Sequence, residues 1–221
     1  YTQSGQLQDI AHKIAKPFLK DDDCAVTFHE IKLTKPFPFP WDTDSFFGAF
    51  PESFLQIPSE LEPVPTSILE KKYDLSLFHY QVWYLSPSIP ITSFLKSEEA
   101  KILFNNTPVV TISGSRNMWI IAQEKVKNLL KHNNAILKGN IALVDRTGNL
   151  ISVITIVEWM FSGVKKKYLG VFPMPGVSEK DIQESDKFGA VIHQNLKNNT
   201  LDNLQPELLK IGAIRIRPFL I

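Results

Sequence analysis

The chain has 221 residues, 43% of them hydrophobic, and its 24 Lys and Arg nearly cancel its 23 Asp and Glu. That length suits one α/β domain with an appended element, and the charge balance excludes a global field that would draw in nucleic acid. No apolar run approaches the ~20 residues that cross a bilayer, and the single Cys24 excludes an intramolecular disulfide. With scattered histidines and no charged-then-apolar leader pattern, the expectation is a cytoplasmic protein without a structural metal.

Leu7, Ile10, Ala11, Ile14, Ala15 and Phe18 recur at helical spacing, and Pro17 with the acidic run Asp21 to Asp23 ends the pattern. Residues 1–18 read as the loop and helix that follow a first β-strand, which is expected upstream of Tyr1. Val26, Phe28 and the segment to Leu33 alternate as a strand does. A stretch over 34–66, rich in proline, then predicts an irregular insertion loop carrying Phe37, Phe39, Trp41, Phe46, Phe47, Phe50 and Phe54. Those aromatics either cap a sheet edge or an oligomer interface, or wall an apolar substrate site.

Leu75 to Tyr80 and Val109 to Ser113 read as buried strands, each leading into a loop and a helix, so a parallel sheet follows. Met118, Ile121, Ala122, Val126, Leu129 and Leu130 form the stripe of a crossover helix, and Ile136 to Val144 supplies a further strand. The core domain is expected over 1–148. Residues 149–221 form a C-terminal extension: Leu150 to Phe161 is apolar and is followed by Lys165, Lys166 and Lys167. A dimer helix is the leading role for it, with membrane contact or a lid as alternatives.

Three loops carry candidate chemistry. Thr2, Gln3, Ser4, Gly5, Gln6 and Leu7 set hydroxyls and a glycine before a helix, where unpaired N–H groups and the dipole favour an anion. The same residues are also ordinary caps. The loop lacks Lys, Arg and the G-x-x-x-x-G-K pattern of nucleoside-triphosphate sites. The second loop contains Gln81, Val82, Trp83 and Tyr84; the third contains Ser113, Gly114, Ser115, Arg116, Asn117, Met118 and Trp119. In a doubly wound sheet, loops at the carboxyl ends of the strands converge on one ligand.

The motifs T-x-S-G-x-L, Y-D-L-x-L-F-x-Y-Q-V-W and T-I-S-G-S-R-N-M-W resemble the phosphate loop and the two isoalloxazine loops of flavodoxin-like FMN proteins. F-F-G-A-F-P-E-S, W-Y-L-S-P-S-I-P, S-R-N-M-W and F-P-M-P-G-V-S resemble the bacterial dialkylresorcinol condensing enzyme family (DarA), whose role is better described as an aromatase step. Members of that family continue past the position of Ile221. The resemblance implies a doubly wound parallel five-stranded sheet with FMN as cofactor. It places the phosphate on Gln3 to Leu7 and the isoalloxazine against Gln81 to Tyr84 and Ser113 to Trp119.

The implied reaction is oxidation of an alkyl- or aryl-polyene-substituted cyclohexane-1,3-dione, supplied by a ketosynthase, to a resorcinol, with an acceptor such as dioxygen reoxidising the flavin. Arg116 is the candidate for binding a carboxylate or enolate. His29, Glu52, His79 and Tyr84 are candidate bases, and spacing selects none, although Tyr84 is nearest the proposed flavin. A homodimer is expected. The rival readings are an NAD(P)H-dependent quinone or FMN reductase, a non-enzymatic electron carrier, and a scaffold that has lost its cofactor. Cys24 has Glu30 rather than Arg six residues on, and no G-x-S-x-G occurs, which excludes phosphatase and serine-hydrolase motifs.

Overall fold

The computed structural model describes residues 3–116, 118–145, 149–167, 169, 171 and 173–214. Its centre is β4 (Pro108–Ser115), whose residues from Val109 to Ser113 are all buried. A strand apolar on both faces needs helices on both sides, and it has them. β1 (Ser76–Tyr80) and β5 (Ile136–Val144) flank β4, both parallel to it, giving the order β1-β4-β5.

Between β1 and β4 the chain makes α4 (Ile89–Leu95) and α5 (Glu98–Phe104), and between β4 and β5 it makes α6 (Ile120–His132). These pack on one face, where Phe78, Tyr80 and Val109 meet Phe94, Phe104, Ala122 and Val126. The other face is covered by α1 (Gln6–Leu19), α8 (Glu179–Gln183), α9 (Asp186–Lys197) and α10 (Leu204–Lys210). There Ile10, Ile14, Phe188, Ile192 and Leu208 close over Val110, Ile112 and Ile141. Residues from Val177 onward therefore help build the sheet's own core. None of the described helices is long and apolar enough to cross a membrane.

The described residues hold three parallel strands in one sheet, plus a short antiparallel ribbon of β2 (Val82–Trp83) and β3 (Ser86–Pro87). The segment from Val26 to Leu33 is extended, with Val26 against the core and Phe28 stacked on His12, but it joins no sheet. Leu33 alone forms a bridge, to Leu61. Alternation makes a segment strand-like, but a strand also needs a neighbouring backbone to bond.

The insertion 34–66 is likewise not irregular throughout. It contains α2 (Thr43–Leu55), and α3 (Thr66–Leu69) begins at its end. Asp42 caps α2: its carboxylate accepts from Ser45 N at 2.8 Å and from Ser45 Oγ at 2.7 Å. Pro51 lies inside this helix and Pro17 inside α1, neither of which it ends.

Candidate functional site

The first loop turns at Gly5, whose φ of +78° is the left-handed conformation glycine adopts without strain. Gly5 is the N-cap of α1, and among the described residues no side chain accepts from the N–H groups of its first turn. A Cβ at Gly5 would meet nothing within 4 Å, so the backbone here is open to approach. Gln3 is held by the aromatic insertion: Trp41 Nε1 donates to its Oε1 at 3.0 Å, and its Nε2 donates to Pro38 O at 3.4 Å. Gln6 clamps Val177, accepting from its N–H at 3.1 Å and donating to its carbonyl at 3.0 Å. Ser4 is half-buried, and the Leu7 side chain is in the core, which leaves only its backbone to face a ligand. Thr2 lies outside the described residues.

The second loop is the β2–β3 ribbon. Its turn places Tyr84 (φ 47°) and Leu85 (φ 60°) consecutively in the left-handed region, without a glycine at either position. Each such placement costs about 1 kcal/mol or more and persists only where surrounding contacts enforce it. The contacts are aromatic. Trp83 meets Trp41 and Phe37 edge-on, each with centroids 5.3 Å apart, and Tyr84 meets Phe46 and Phe50. The Tyr84 hydroxyl donates to Phe46 O, and burial pushes its pKa up to about 12. Trp83 O accepts from Ser53 Oγ at 3.1 Å. Val82 is half-buried, while the buried Gln81 Oε1 has no hydrogen-bond partner.

The third segment was expected to be a loop, but Ser113 to Ser115 continue β4, paired with β5, and Ser113 also pairs in register with Tyr80. Ser113 Oγ stands beside the Tyr80 hydroxyl, which already donates to Gln123 Oε1 at 2.6 Å, and makes no hydrogen bond itself. Gly114 lies against Ile10, Leu7 and Val177, where a Cβ would be in close but ordinary contact at 3.4 Å or more. Ser115 Oγ donates to Arg116 O at 3.0 Å. Met118 is exposed and Trp119 half-buried at the start of α6, while Asn117 lies outside the described residues.

Arg116 belongs to a polar group that motif reading missed. Its Nε donates to Ser152 Oγ at 3.1 Å, and Ser152 Oγ donates to Asp145 Oδ2 at 2.9 Å. Asp145 directly follows β5 and is 2% exposed; it also accepts from Gly176 N at 3.3 Å, and its own N–H donates to Ser115 O at 3.0 Å. Burial lowers the Arg116 pKa and the Asp145 charge opposes the shift. A carboxylate immediately after an apolar strand, at its carboxyl end, is the signal that could have found Asp145.

Of the candidate bases, His79 is half-buried, with Nδ1 2.9 Å from Leu77 O and its buried Nε2 unpartnered, and desolvation brings its pKa down to about 4. His29 is exposed on the extended segment and makes no hydrogen bond or ring contact among the described residues. Desolvation lowers its pKa too. Glu52 is exposed on α2. The structure thus joins Gln3 of the first loop and the second loop to the insertion, sets Gly114 of the third segment against Leu7, and gathers Arg116, Asp145 and Ser152, but it does not bring His29 into contact with them.

For an anionic, aromatic cofactor such as FMN, the described residues fit in three respects: the uncapped, open turn at Gly5, the Trp41–Trp83 aromatic cluster, and the unpartnered Gln81 Oε1 at a strand end.

Away from these loops, Asp21, Cys24 and His193 place possible metal-ligand atoms within 4.8 Å of one another. A cation already sits there, because Lys197 Nζ and His193 Nε2 each lie 2.7 Å from Asp21 Oδ2. Lys197, the Asp23 N–H and His193 lower the Asp21 pKa from 3.8 to about 2. A depressed carboxyl pKa contributes stability that is fully present above pH 3.8 and is lost as pH falls through 2. Asp21→Asn is therefore expected to lower the melting temperature at neutral pH and to flatten its fall across that acid window. An unchanged acid limb would show that the α1–α9 ion group does not carry this linkage. The chain matches no family model and none of the curated proteins.

Proposed function

We propose that the chain is an FMN-dependent oxidoreductase that aromatises an alkyl- or aryl-polyene-substituted cyclohexane-1,3-dione to a resorcinol. The observation that carries this reading is the aromatic cluster that Trp41 and Trp83 share beside Gln3, with an open turn at Gly5, an unpartnered polar atom at Gln81 and Gly114 of the third segment packed against Leu7. In this reading the backbone N–H groups from Ser4 to Leu7 receive the phosphate. Gln81 to Tyr84 and Ser113 to Trp119 would hold the isoalloxazine. The sheet is then part of a five-stranded flavodoxin-like arrangement, with the bare edge of β1 as the place for a further parallel strand.

FMN, when bound, accepts the hydride equivalent that a cyclohexanedione loses, along with a proton, in becoming a resorcinol. The protein's own groups do the rest. Arg116 holds the enolate oxygen as negative charge develops, with its guanidinium oriented through Ser152 and its charge balanced by Asp145. Tyr84 keeps its proton at neutral pH, so it serves as a hydrogen-bond donor rather than as the base. Phe37, Trp41 and Phe46 exclude water and receive the apolar chain of the substrate. A ketosynthase is the chemical source of such a dione, and a homodimer is the proposed assembly.

The test is a visible absorption titration with FMN, followed by anaerobic mixing with a 2,5-dialkylcyclohexane-1,3-dione. The expected result is a bound flavin spectrum that bleaches with the dione. Bleaching with NAD(P)H but not with the dione would replace this reading by a reductase. An electron carrier would bleach with neither unless given a redox partner, and an absence of flavin binding would overturn the cofactor assignment.

A further inference from the structure

The helix α7 (Asn149–Ser162) is amphipathic in the reverse of the usual sense. A helix on a water-exposed surface turns its apolar stripe inward. Here Ser152 and Thr155 are each 1% exposed and face the protein, Ser152 being bonded to Arg116 and Asp145. Leu150, at 83% exposed, Ile151, Val153, Ile154 and Val157 face outward. Among the described side chains of α7, the only charged one is the half-buried Glu158. So many neighbouring exposed aliphatic groups call for a non-aqueous neighbour.

The flanking residues indicate which neighbour. Lys166 and Lys167 are exposed just beyond the helix, and Lys165 Nζ lies 5.5 Å from the centroid of the Trp159 ring. An apolar helix face followed by consecutive lysines matches what a bilayer offers at its surface: acyl chains below and anionic headgroups above. Fourteen residues are too few to span the bilayer, so the helix would lie in the interface. A second copy of the chain is the less suitable occupant, because the centres of protein interfaces are depleted in lysine.

The insertion extends the same character. Trp41 N donates to Met160 O at 2.9 Å, and Phe46 and Phe161 have ring centroids 5.3 Å apart, so α2 begins against the end of α7. α2 in turn exposes Phe47, Phe50 and Phe54.

We propose that the outer face of α7, with Lys165 to Lys167, docks the protein peripherally on an anionic lipid bilayer. A corollary that rests on the flavin reading is that a lipophilic dione passes from the bilayer to the aromatic cluster without crossing water.

The experiment is flotation of the full chain with phosphatidylcholine vesicles, with and without phosphatidylglycerol, at low and high salt. The expected result is flotation with the phosphatidylglycerol vesicles that weakens in salt. Ile154→Asp is expected to abolish it, and each of Lys165→Ala, Lys166→Ala and Lys167→Ala to weaken partitioning roughly fivefold. These side chains are at the surface, and unchanged circular dichroism melts would confirm that the variants fold. Failure to float, or equal binding to both vesicle types, overturns the proposal. A dimer seen by light scattering that Ile154→Asp dissociates, together with no vesicle binding, would assign the face to a second copy and also overturn it. FMN titration without vesicles is read separately, so failure of membrane docking and failure of the flavin reading are distinguishable.

Discussion

Gly189→Ala is expected to destabilise the protein by about 3 kcal/mol, lowering the melting temperature by roughly 6–12 °C. Gly189 sits on α9 where it crosses α1, and a Cβ there would lie 2.0 Å from the carbonyl oxygen of Ile14 and 2.9 Å from its carbonyl carbon. Both atoms are backbone, so no change of rotamer relieves the clash and the two helices must separate. Separation would open the contact between Ile14, Phe188 and Ile192 on which that face of the sheet depends. It would also displace α1 and with it the turn at Gly5, so FMN affinity is expected to fall with stability. Gly48 is the control. It too lies in a helix, but a Cβ there meets nothing within 4 Å. Gly48→Ala should therefore stabilise α2 by roughly 0.5–1 kcal/mol. Paired urea melts check both, and equal stability of Gly189→Ala and the parent protein would mean that α1 and α9 do not approach as described.

That crossing was not legible in the sequence, and the reason is general. Periodicity reports what an element buries, not against what. The run Val109 to Ser113 fixed its strand closely because burial on both faces leaves a compact signature, whereas Ile136 to Val144 was legible chiefly from its buried end, Ile141 to Leu143. The segment from Val26 to Leu33 had an equally readable alternation, but its hydrogen bonds depend on which backbone lies beside it. The insertion misled for a different reason. Its prolines read as breakers, whereas the bonds from Asp42 to Ser45 start a helix that then runs through Pro51.

The site divides in the same way. The loop at Gly5 and the residues from Ser113 to Arg116 were readable because their composition is local. Contacts between distant residues were not. Trp41 and Gln3 are bonded across 38 positions, and Gln6 grips Val177 across 171. Ser152, read as one more residue of an apolar helix, proves to be the polar link between Arg116 and Asp145.

That link yields the second large expected effect. In the proposed reaction Arg116→Ala should lower kcat/KM for the dione about a hundredfold, the usual cost of removing one donor aimed at developing negative charge. In the proposed reading FMN affinity should change less than kcat/KM, because the phosphate would be held at Gly5 rather than here. The substitution also removes a positive charge beside the buried Asp145, so some stability will be lost, and rates must be compared at a temperature where the variant is folded. Arg116→Lys separates charge from geometry: it keeps a cation but not the planar fork, and should recover only part of the activity. Ser152→Ala keeps the guanidinium but removes the hydroxyl that orients it, so its effect should be smaller and should fall on kcat more than on KM. If Arg116→Ala retains full turnover, the Arg116–Ser152–Asp145 group is a structural brace for the third loop, and charge on the enolate must be met by another residue.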